Sequence, residues 1–216
     1  YDSVSKLNPA SFISLEYKNI KSRTVNENNY WSISHIAQHG MSNQIQDINE
    51  IRDEFSSLLK KSVKSQLISD VPIGCFLSGG IDSSLISSEM QNIVEKPIKT
   101  FTIGFKEPEF DESIYAREVS KHLGTDHYEL IVDSDMSLDV IPDLINMYDE
   151  PFSDSSAIPT YLVSKLAKEY VKVSLSGDGG DELFGGYNRY LYTEQLWSKI
   201  EFLPFEIRRL IGNIIS

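Results

Sequence analysis

The sequence predicts an α/β fold in which a doubly wound parallel sheet carries helices on both faces. From Asp47 onward, short apolar runs alternate with segments whose apolar residues recur at helical spacing. Strands that alternate with helices favour right-handed crossovers and a parallel sheet that is covered on both sides. Glycine-rich acidic loops follow two of the predicted strands. Ligands of such sheets bind beyond the carboxyl ends of the strands, so these loops are the first candidates for a site.

Residues 1–46 differ from the rest because they are rich in serine, asparagine and other polar residues. Two strand-like pieces, Phe12–Leu15 and Tyr30–Ile33, predict an edge hairpin followed by a linker. A long amphipathic helix is predicted after them from apolar residues at helical spacing: Ile51, Phe55, Leu58, Leu59, Val63 and Leu67.

Strands and helices alternate over the remainder of the chain. The predicted strands are Ile73–Leu77, Ile98–Ile103, Tyr128–Val132 and Val171–Leu175. The predicted helices are Ser83–Ile93, Ser113–Leu123, Ser137–Met147, Pro159–Glu169 and a further helix that begins near Glu182. Gly124 is placed to end the second of these helices, and Pro142 falls in the early turns of the third.

Composition excludes several classes of protein. The net charge of −12 and the pI of about 4.8 would repel duplex DNA or structured RNA, so no nucleic-acid partner is predicted. The single cysteine, Cys75, excludes an intrachain disulfide and a cysteine-rich zinc site, and it predicts a reducing, cytoplasmic location. The sequence has no apolar run of about 18 residues, so no membrane partner is predicted either.

The loop Ser78–Ser84 follows the first strand of the predicted sheet and opens a helix. Its two glycines allow a tight turn, and the N–H groups at the start of the helix favour an anion. Asp82 can lie beside a phosphate only if a divalent cation bridges them. The pattern therefore predicts a pyrophosphate cradle with a metal ligand. It is neither a Walker A loop nor a dinucleotide fingerprint, and a tight turn capped by serines is the alternative.

A second glycine-rich loop, Ser176–Tyr187, follows the last predicted strand. It carries three carboxylates within five residues, Asp178, Asp181 and Glu182, which suits a magnesium-bound phosphate or a base beside a reacting group. A solvated acidic turn is the alternative, since the spacing does not fit an EF-hand. If the last strand returns beside the first, both loops flank one switch point and Asp82 and Asp181 can share one metal–phosphate. A carboxylate separation above roughly 10 Å would contradict that arrangement.

Two further segments each allow two interpretations. Thr102–Phe105 ends a strand and is either a slot for a flat base or simply core. The polar segment Tyr148–Pro159 either contacts a polar substrate or is a surface loop in which Ser155 or Ser156 caps the next helix. The four histidines show no metal-ligand spacing and are expected to be structural: His35, His39, His122 and His127.

The loop Ser78–Ser84 resembles the pyrophosphate loop of the N-type ATP pyrophosphatases, whose fold is adenine nucleotide alpha hydrolase-like. Four further segments indicate which family of that superfamily the chain resembles: Thr102–Phe105, Glu150–Phe152, Ser155–Thr160 and Ser176–Tyr187. Together the segments look like the synthetase domain of bacterial glutamine-hydrolysing asparagine synthetases. The resemblance runs from about Asp47 to about Tyr190.

The resemblance implies an ATP-dependent ligase that uses Mg²⁺. ATP would adenylate the side-chain carboxylate of aspartate and release pyrophosphate, and ammonia derived from glutamine would then attack the acyl-adenylate. The implied partners are small molecules: ATP, aspartate, and ammonia or glutamine. A homodimer is one possible assembly. The alternatives are a related adenylating amidotransferase or ligase with another carboxylate acceptor, and an inactive nucleotide-binding fragment. The acidic pI argues against a tRNA-modifying relative.

The resemblance also assigns roles to residues of this sequence. Nucleotide binding falls to the first loop: Ser78, Gly79, Gly80, Ile81, Asp82, Ser83 and Ser84. The adenosine slot is formed by Leu77, Ile103, Ser176 and Gly177. Asp82 and Asp181 hold magnesium. Asp178 is the catalytic candidate, because many family members carry at its position a glutamate that is suggested to act on the incoming ammonia. The side chain here is one methylene shorter.

Two regions are expected from the same resemblance. Residues 1–46 are expected to be the end of an N-terminal glutaminase domain together with a linker. Residues 47–216 are expected to be an ATP-pyrophosphatase domain that is incomplete at its C-terminus. The catalytic cysteine of the glutaminase domain and an essential lysine of the synthetase domain are absent from the chain. The resemblance therefore leaves open whether the chain is active alone.

Overall fold

The computed structural model describes residues 3–15, 26–109, 111–150 and 152–215. Contacts within the chain divide it into two compact units, residues 1–56 and residues 57–216. Helix α2 (Ile48–Gln66) contributes residues to both units. No helix in the described ranges is both long enough and apolar enough to span a membrane.

The first unit contains a hairpin and a helix. Strand β1 (Ser11–Ser14) pairs antiparallel with β2 (Asn26–Asn29), so a hairpin is present, but its second strand precedes the predicted segment. The strand predicted at Tyr30–Ile33 is wrong, because helix α1 (Ile33–Ser42) begins there. The hydroxyl of Ser32 accepts a hydrogen bond from the N–H of His35, so it caps the helix and competes with an extended backbone.

The second unit is built on a four-stranded parallel sheet. Its strands are β3 (Ile73–Phe76), β4 (Lys99–Phe105), β5 (Asp126–Val132) and β6 (Val173–Leu175). Their order in the sheet is β5-β4-β3-β6, and every neighbouring pair is parallel. The chain thus moves outward from β3 to β5 and returns to the opposite side of β3. This topology confirms the predicted doubly wound parallel sheet.

Helices of the second unit follow the strands, and some of them pack on the two faces of the sheet. After β3 they are α3 (Ile81–Ile93), α4 (Ser113–Leu123), α5 (Ser134–Met147), α6 (Ala157–Lys168), α7 (Gly180–Phe184), α8 (Asn188–Ile200) and α9 (Phe205–Ile215). On one face, Cys75 of β3 packs with Val63 of α2 and Met90 of α3. On the other face, Phe101 of β4 packs with Ala167 of α6.

Cys75 is fully buried, as the sequence indicated. Burial raises the pKa of its thiol to about 11, although a hydrogen bond donated by the hydroxyl of Ser87 opposes that shift. Because the thiolate is the reactive species, this cysteine belongs to the packing of the core and not to the chemistry of the protein.

Several element boundaries differ from the prediction. Strand β6 begins at Val173 rather than Val171, because the N–H of Val171 donates to the carbonyl of Ala167 and closes the turn after α6. Helix α5 begins at Ser134, so Pro142 lies inside the helix rather than in its early turns. The helix expected from Glu182 is three helices, α7, α8 and α9.

A polar network lies beside β4 and β5 on the face opposite α6. The hydroxyl of Thr100 lies 2.8 Å from Nδ1 of His127 and 2.8 Å from the hydroxyl of Thr125. The other ring nitrogen of His127, Nε2, is buried without a hydrogen-bond partner. Burial lowers the pKa of His127 below its ordinary value of 6.5; Glu129 raises it and Arg117 lowers it further. The histidine is therefore structural, as the sequence predicted.

We expect His127 to make the folded state sensitive to mild acid. Its pKa is lower in the folded protein than in the unfolded chain, so the unfolded chain binds more protons below pH 6.5. The contribution is fully present above pH 6.5 and is lost as the pH falls from 6.5 towards the folded pKa. Urea unfolding from about pH 7.5 to about pH 5.5 should show a smaller loss of stability for His127→Gln than for wild type. Equal losses would contradict the prediction, and the exposed His122→Gln is the matched control.

Candidate active site

The first glycine-rich loop leaves the carboxyl end of β3 and turns sharply into α3. Leu77 is 1% exposed, and its N–H donates to the carbonyl of Phe101 at 2.9 Å, which keeps the start of the loop in the sheet. Gly79 then takes a positive φ of 84°. A Cβ atom at this position would lie 2.6 Å from the backbone nitrogen of Ala116 and 2.6 Å from Cβ of Tyr115. The turn is therefore wedged against α4, and only glycine fits it without strain.

Serine hydroxyls hold the shape of this loop. Oγ of Ser83 accepts the N–H of Ser78 at 3.1 Å and lies 2.9 Å from Oγ of Ser78. The hydroxyl of Ser78 also accepts the N–H of Gly80 at 3.2 Å. These bonds close a small ring between the end of β3 and the first turn of α3. The two serines predicted as ligand donors therefore also organise the loop.

The first turn of α3 offers unpaired backbone donors. Its helical hydrogen bonds begin with the N–H of Ser84, which donates to the carbonyl of Gly80 at 3.1 Å. Gly80 occupies the N-cap and provides no side-chain cap. The preceding N–H groups of the helix lack intrahelical acceptors and favour an anion. In addition, Oγ of Ser84 is buried without a hydrogen-bond partner. This donor set suits a phosphate group.

The second glycine-rich loop leaves the carboxyl end of β6. Its Ser176 hydroxyl donates to Oδ2 of Asp178 at 3.1 Å, which orients that carboxylate. Gly179 takes a φ of 94° and Gly185 a φ of 70°, so glycines in the left-handed region bracket the short helix α7. Asp181 lies in the first turn of α7. The three acids of the loop thus sit on a tight turn and one short helix.

The two loops touch each other at the switch point of the sheet. A Cβ atom on Gly177 would lie 2.8 Å from the backbone nitrogen of Ser83 and 3.0 Å from Cβ of Asp82. A Cβ atom on Gly180 would lie 2.5 Å from Cγ of Asp82. Glycine is therefore required at position 177, where backbone atoms are in the way, whereas a Cβ atom at position 180 would force the Asp82 carboxylate to move. The expectation that both loops flank one switch point is confirmed.

Two adjoining cavities open beside these loops. The larger has a volume of about 640 Å³ and the smaller about 410 Å³. They share four wall residues: Phe76, Ser78, Thr160 and Val163. Leu77 and Ile103, predicted for the adenosine slot, line the larger cavity, whereas Ser176 and Gly177 line the smaller one. The predicted slot residues therefore divide between two neighbouring spaces.

The larger cavity is mainly apolar and suits a flat ring system. Its apolar walls include Phe101, Phe105 and Pro159, and its polar groups include Thr102 and Glu112. The sequence interpretation of Thr102–Phe105 as simple core is incomplete, because two of these residues are buried while others face the cavity.

The smaller cavity is strongly acidic. Four carboxylates line it, Asp82, Asp178, Asp181 and Glu182, and the described walls of both cavities contain no lysine, arginine or histidine. Four acids in walls that hold no basic residue repel a polyphosphate unless a cation lies between them. Mg²⁺ typically takes one or two carboxylates together with substrate phosphates, and Asp82 and Asp181 fit that donor set. Among the described residues, no three acidic, imidazole or thiol groups converge to bind a metal alone.

One predicted residue of the first loop lies apart from the others. The side chain of Ile81 is 86% exposed and lines neither of these cavities. Only its backbone, at the start of α3, is placed to contact a bound anion. The remaining predicted residues stand at the two loops or in the walls of the cavities.

Several site residues were not singled out from the sequence. Tyr187 lines the smaller cavity, and its hydroxyl donates to Oε1 of Glu182 at 2.5 Å. This bond lowers the pKa of Glu182 and raises that of Tyr187 to about 12. Ser137 at the start of a predicted helix and Glu112 line the larger cavity. These residues reach the cavities only because of how the helices pack at the edge of the sheet, and local sequence patterns do not predict that packing.

The polar segment singled out in the sequence, Tyr148–Pro159, reaches the larger cavity through Ser155 and Ile158. Ser156 occupies the N-cap of α6 but makes no capping bond with its side chain. Instead, the N–H of Ser156 donates to Oδ1 of Asp154 at 2.8 Å. Pro151 lies outside the described residues.

The parallel sheet and the paired loops at its switch point define a nucleotide-binding type of α/β domain. The family model described as asparagine synthase matches residues 54–214. The chain therefore belongs to the asparagine synthase family.

Relatives of known name share about two fifths of the aligned residues. Asparagine synthetase [glutamine-hydrolyzing] 1 of Bacillus subtilis is 39% identical over 170 residues, which cover 78% of this chain and 26% of that protein. A putative asparagine synthetase [glutamine-hydrolyzing] 2 of Methanocaldococcus jannaschii is 42% identical over 148 residues, which cover 68% of this chain and 28% of that protein. The chain thus spans about a quarter of the length of these relatives.

A solved structure is similar at lower identity. The NMN synthetase of Francisella tularensis covers 62% of this chain and 58% of its own, with 17% identity and a TM-score of 0.45.

Proposed function

We propose that this chain forms the nucleotide site of an ATP-dependent asparagine synthetase. Within that site, ATP would adenylate the side-chain carboxylate of aspartate with release of pyrophosphate, and ammonia derived from glutamine would then displace AMP. The observation that carries the proposal is the contact between the two glycine-acid loops, where Gly177 and Gly180 lie against Asp82 and Ser83. That contact brings a phosphate cradle and an acidic cavity to one place.

The site residues have separate roles in this reaction. The backbone of the first loop and the hydroxyl of Ser84 would bind the pyrophosphate, while Leu77 and Ile103 hold the adenine in the larger cavity. Asp82 and Asp181 would hold Mg²⁺, which supplies neutralising charge to the phosphate oxygens when it is bound. Both acids line the smaller cavity beside the first loop, which supports this role.

The amidation step needs a proton acceptor. Attack of ammonia on the acyl carbon forms the C–N bond, the bond to the AMP oxygen breaks, and the nitrogen loses a proton. Asp178 lines the smaller cavity, and the hydroxyl of Ser176 fixes its carboxylate. We propose that Asp178 accepts this proton or orients the ammonia that loses it. The cytoplasmic location and the expected regions 1–46 and 47–216 remain predictions.

Pyrophosphate release tests the proposal. The protein at its natural full length is given MgATP, ammonia and either aspartate, another carboxylic acid or no acceptor, beside its Asp82→Ala variant. We expect release that depends on aspartate, and a loss of at least about 100-fold in the variant, as for removal of a group that stabilises transition-state charge. Release with a different carboxylic acid and none with aspartate would reassign the acceptor. No acceptor-dependent release at all would refute the adenylation reaction.

A further inference from the structure

Helix α7 depends on contacts outside itself. It is five residues long, and a helix of this length is not stable through its own hydrogen bonds. The left-handed glycines at its two ends, Gly179 and Gly185, give the flanking backbone more freedom than other residues would. Two of the three acids of the second loop, Asp181 and Glu182, are carried on this short helix, so contacts from outside must hold it in place.

Tyr187 makes such a contact. Its hydroxyl reaches back across the turn at Gly185 and Gly186 and donates to Oε1 of Glu182 at 2.5 Å. The guanidinium of Arg189 lies 4.2 Å from the centre of the tyrosine ring. Tyr187 also occupies the N-cap position of α8. The tyrosine therefore ties the start of α8 to the body of α7.

The turn that Tyr187 closes is in direct contact with Asp181. The N–H of Gly186 donates to the carbonyl of Asp181 at 3.1 Å. A Cβ atom on Gly186 would lie 3.0 Å from Cγ of Asp181, so the carboxyl group rests on the glycine backbone. A shift of Gly186 is therefore expected to displace the Asp181 carboxylate at the wall of the smaller cavity.

We propose that Tyr187 is a positioning residue of the site. By donating to Glu182 it fixes the turn at Gly186 and so holds the Asp181 carboxylate in the wall of the smaller cavity. The hydrogen-bonded pair acts through Asp181 and touches no reacting atom. The consequence for metal–nucleotide binding rests on the proposed function; the ordering of α7 does not.

Four variants of the full-length protein test this proposal: Tyr187→Phe, Glu182→Ala, the double variant, and Tyr192→Phe. The last removes a hydroxyl from the same helix, at a side chain that is 68% exposed. Amide hydrogen exchange of the segment 179–186 is measured without nucleotide. A hydrogen bond to a charged acceptor predicts that Tyr187→Phe speeds exchange about tenfold, whereas Tyr192→Phe leaves it unchanged. The double variant should exchange no faster than Tyr187→Phe alone.

A second measurement reports on Asp181. Binding of a non-hydrolysable ATP analogue is titrated with Mn²⁺ as the probe, and Tyr187→Phe should raise the Mn²⁺ midpoint by about tenfold, with the melting temperature near that of Tyr192→Phe. Unchanged exchange in Tyr187→Phe, or additive effects in the double variant, would overturn the proposal. Faster exchange with an unshifted midpoint would overturn the positioning role. Failure of wild type to release pyrophosphate would refute the proposed function, while the exchange result would still decide the role of the pair.

Discussion

Replacing Gly79 by alanine is expected to destabilise the second unit by about 2–5 kcal/mol. Part of this cost is the positive φ of 84°, which disfavours any residue with a Cβ atom. The larger part is steric, because the new Cβ atom would lie 2.6 Å from the backbone nitrogen of Ala116 and 2.7 Å from the carbonyl carbon of Tyr115. Backbone atoms of a helix cannot turn away as a side chain can, so α4 or the loop must move.

Gly124→Ala is the matched control for the cost of the backbone angle. Gly124 has a φ of 71° at the end of α4, but a Cβ atom there meets nothing within 4 Å. Its replacement should therefore cost only the conformational part, about 1–2 kcal/mol. Urea unfolding of both variants measures the free energies, provided that the denaturant slopes agree with wild type. If Gly79→Ala loses no more stability than Gly124→Ala, the loop is not wedged against α4.

Gly180→Ala should separate binding from stability. Gly180 is the first residue of α7, where alanine is a better helix former by about 0.5–1 kcal/mol. Its Cβ atom would nevertheless lie 2.5 Å from Cγ of Asp82 and displace that carboxylate from its place beside the second loop. A carboxylate can rotate, so we expect the stability to change by less than about 1 kcal/mol. The affinity for MgATP should fall at least about tenfold, because the proposed metal ligand is moved.

The control for this prediction is Gly212→Ala in α9, where a Cβ atom meets nothing within 4 Å. It makes the same change in helix propensity away from the site. Calorimetric titration with a non-hydrolysable ATP analogue and Mg²⁺ gives the affinities of both variants. Wild-type affinity in Gly180→Ala would show that the position of the Asp82 carboxylate does not matter for binding. That result would contradict the assignment of Asp82 as a Mg²⁺ ligand.

Local patterns predicted the sheet because its strands are apolar and are separated by helices of ordinary length. They failed where partners are distant in sequence. Strand β5 begins at Asp126 rather than Tyr128, since Asp126 pairs with Lys99 at 2.7 Å and His127 with Thr100 at 2.8 Å. In the sequence alone, polar residues at the start of a strand look like part of a loop. Only their partners on the neighbouring strand show that they belong to the strand.

The candidate site likewise has features that local patterns predicted and features that depend on residues distant in sequence. The sequence placed the two glycine-acid loops correctly at strand ends, because glycines and acids at such positions have few other uses. The sequence did not predict the hydrogen bond between Tyr187 and Glu182. These residues are five positions apart, and their side chains come together only because the chain turns at Gly185. It also could not separate the larger cavity from the smaller one, because the walls come from several elements that meet only in the folded sheet.

The order of the strands also governs when the site can form during synthesis. Strand β3 pairs with β4 about 25 residues later in the chain, but its partnership with β6, from Ile73 to Val173, spans about 100 residues. At roughly 5–20 residues per second, a ribosome needs about 5–20 s to make that interval. Until then the nascent chain has only the first of the two glycine-acid loops, and one side of β3 has backbone hydrogen-bonding groups without a neighbouring strand. Such an edge can recruit a strand from another molecule, so faster completion of β6 protects the protein from aggregation as well as finishing its binding loops.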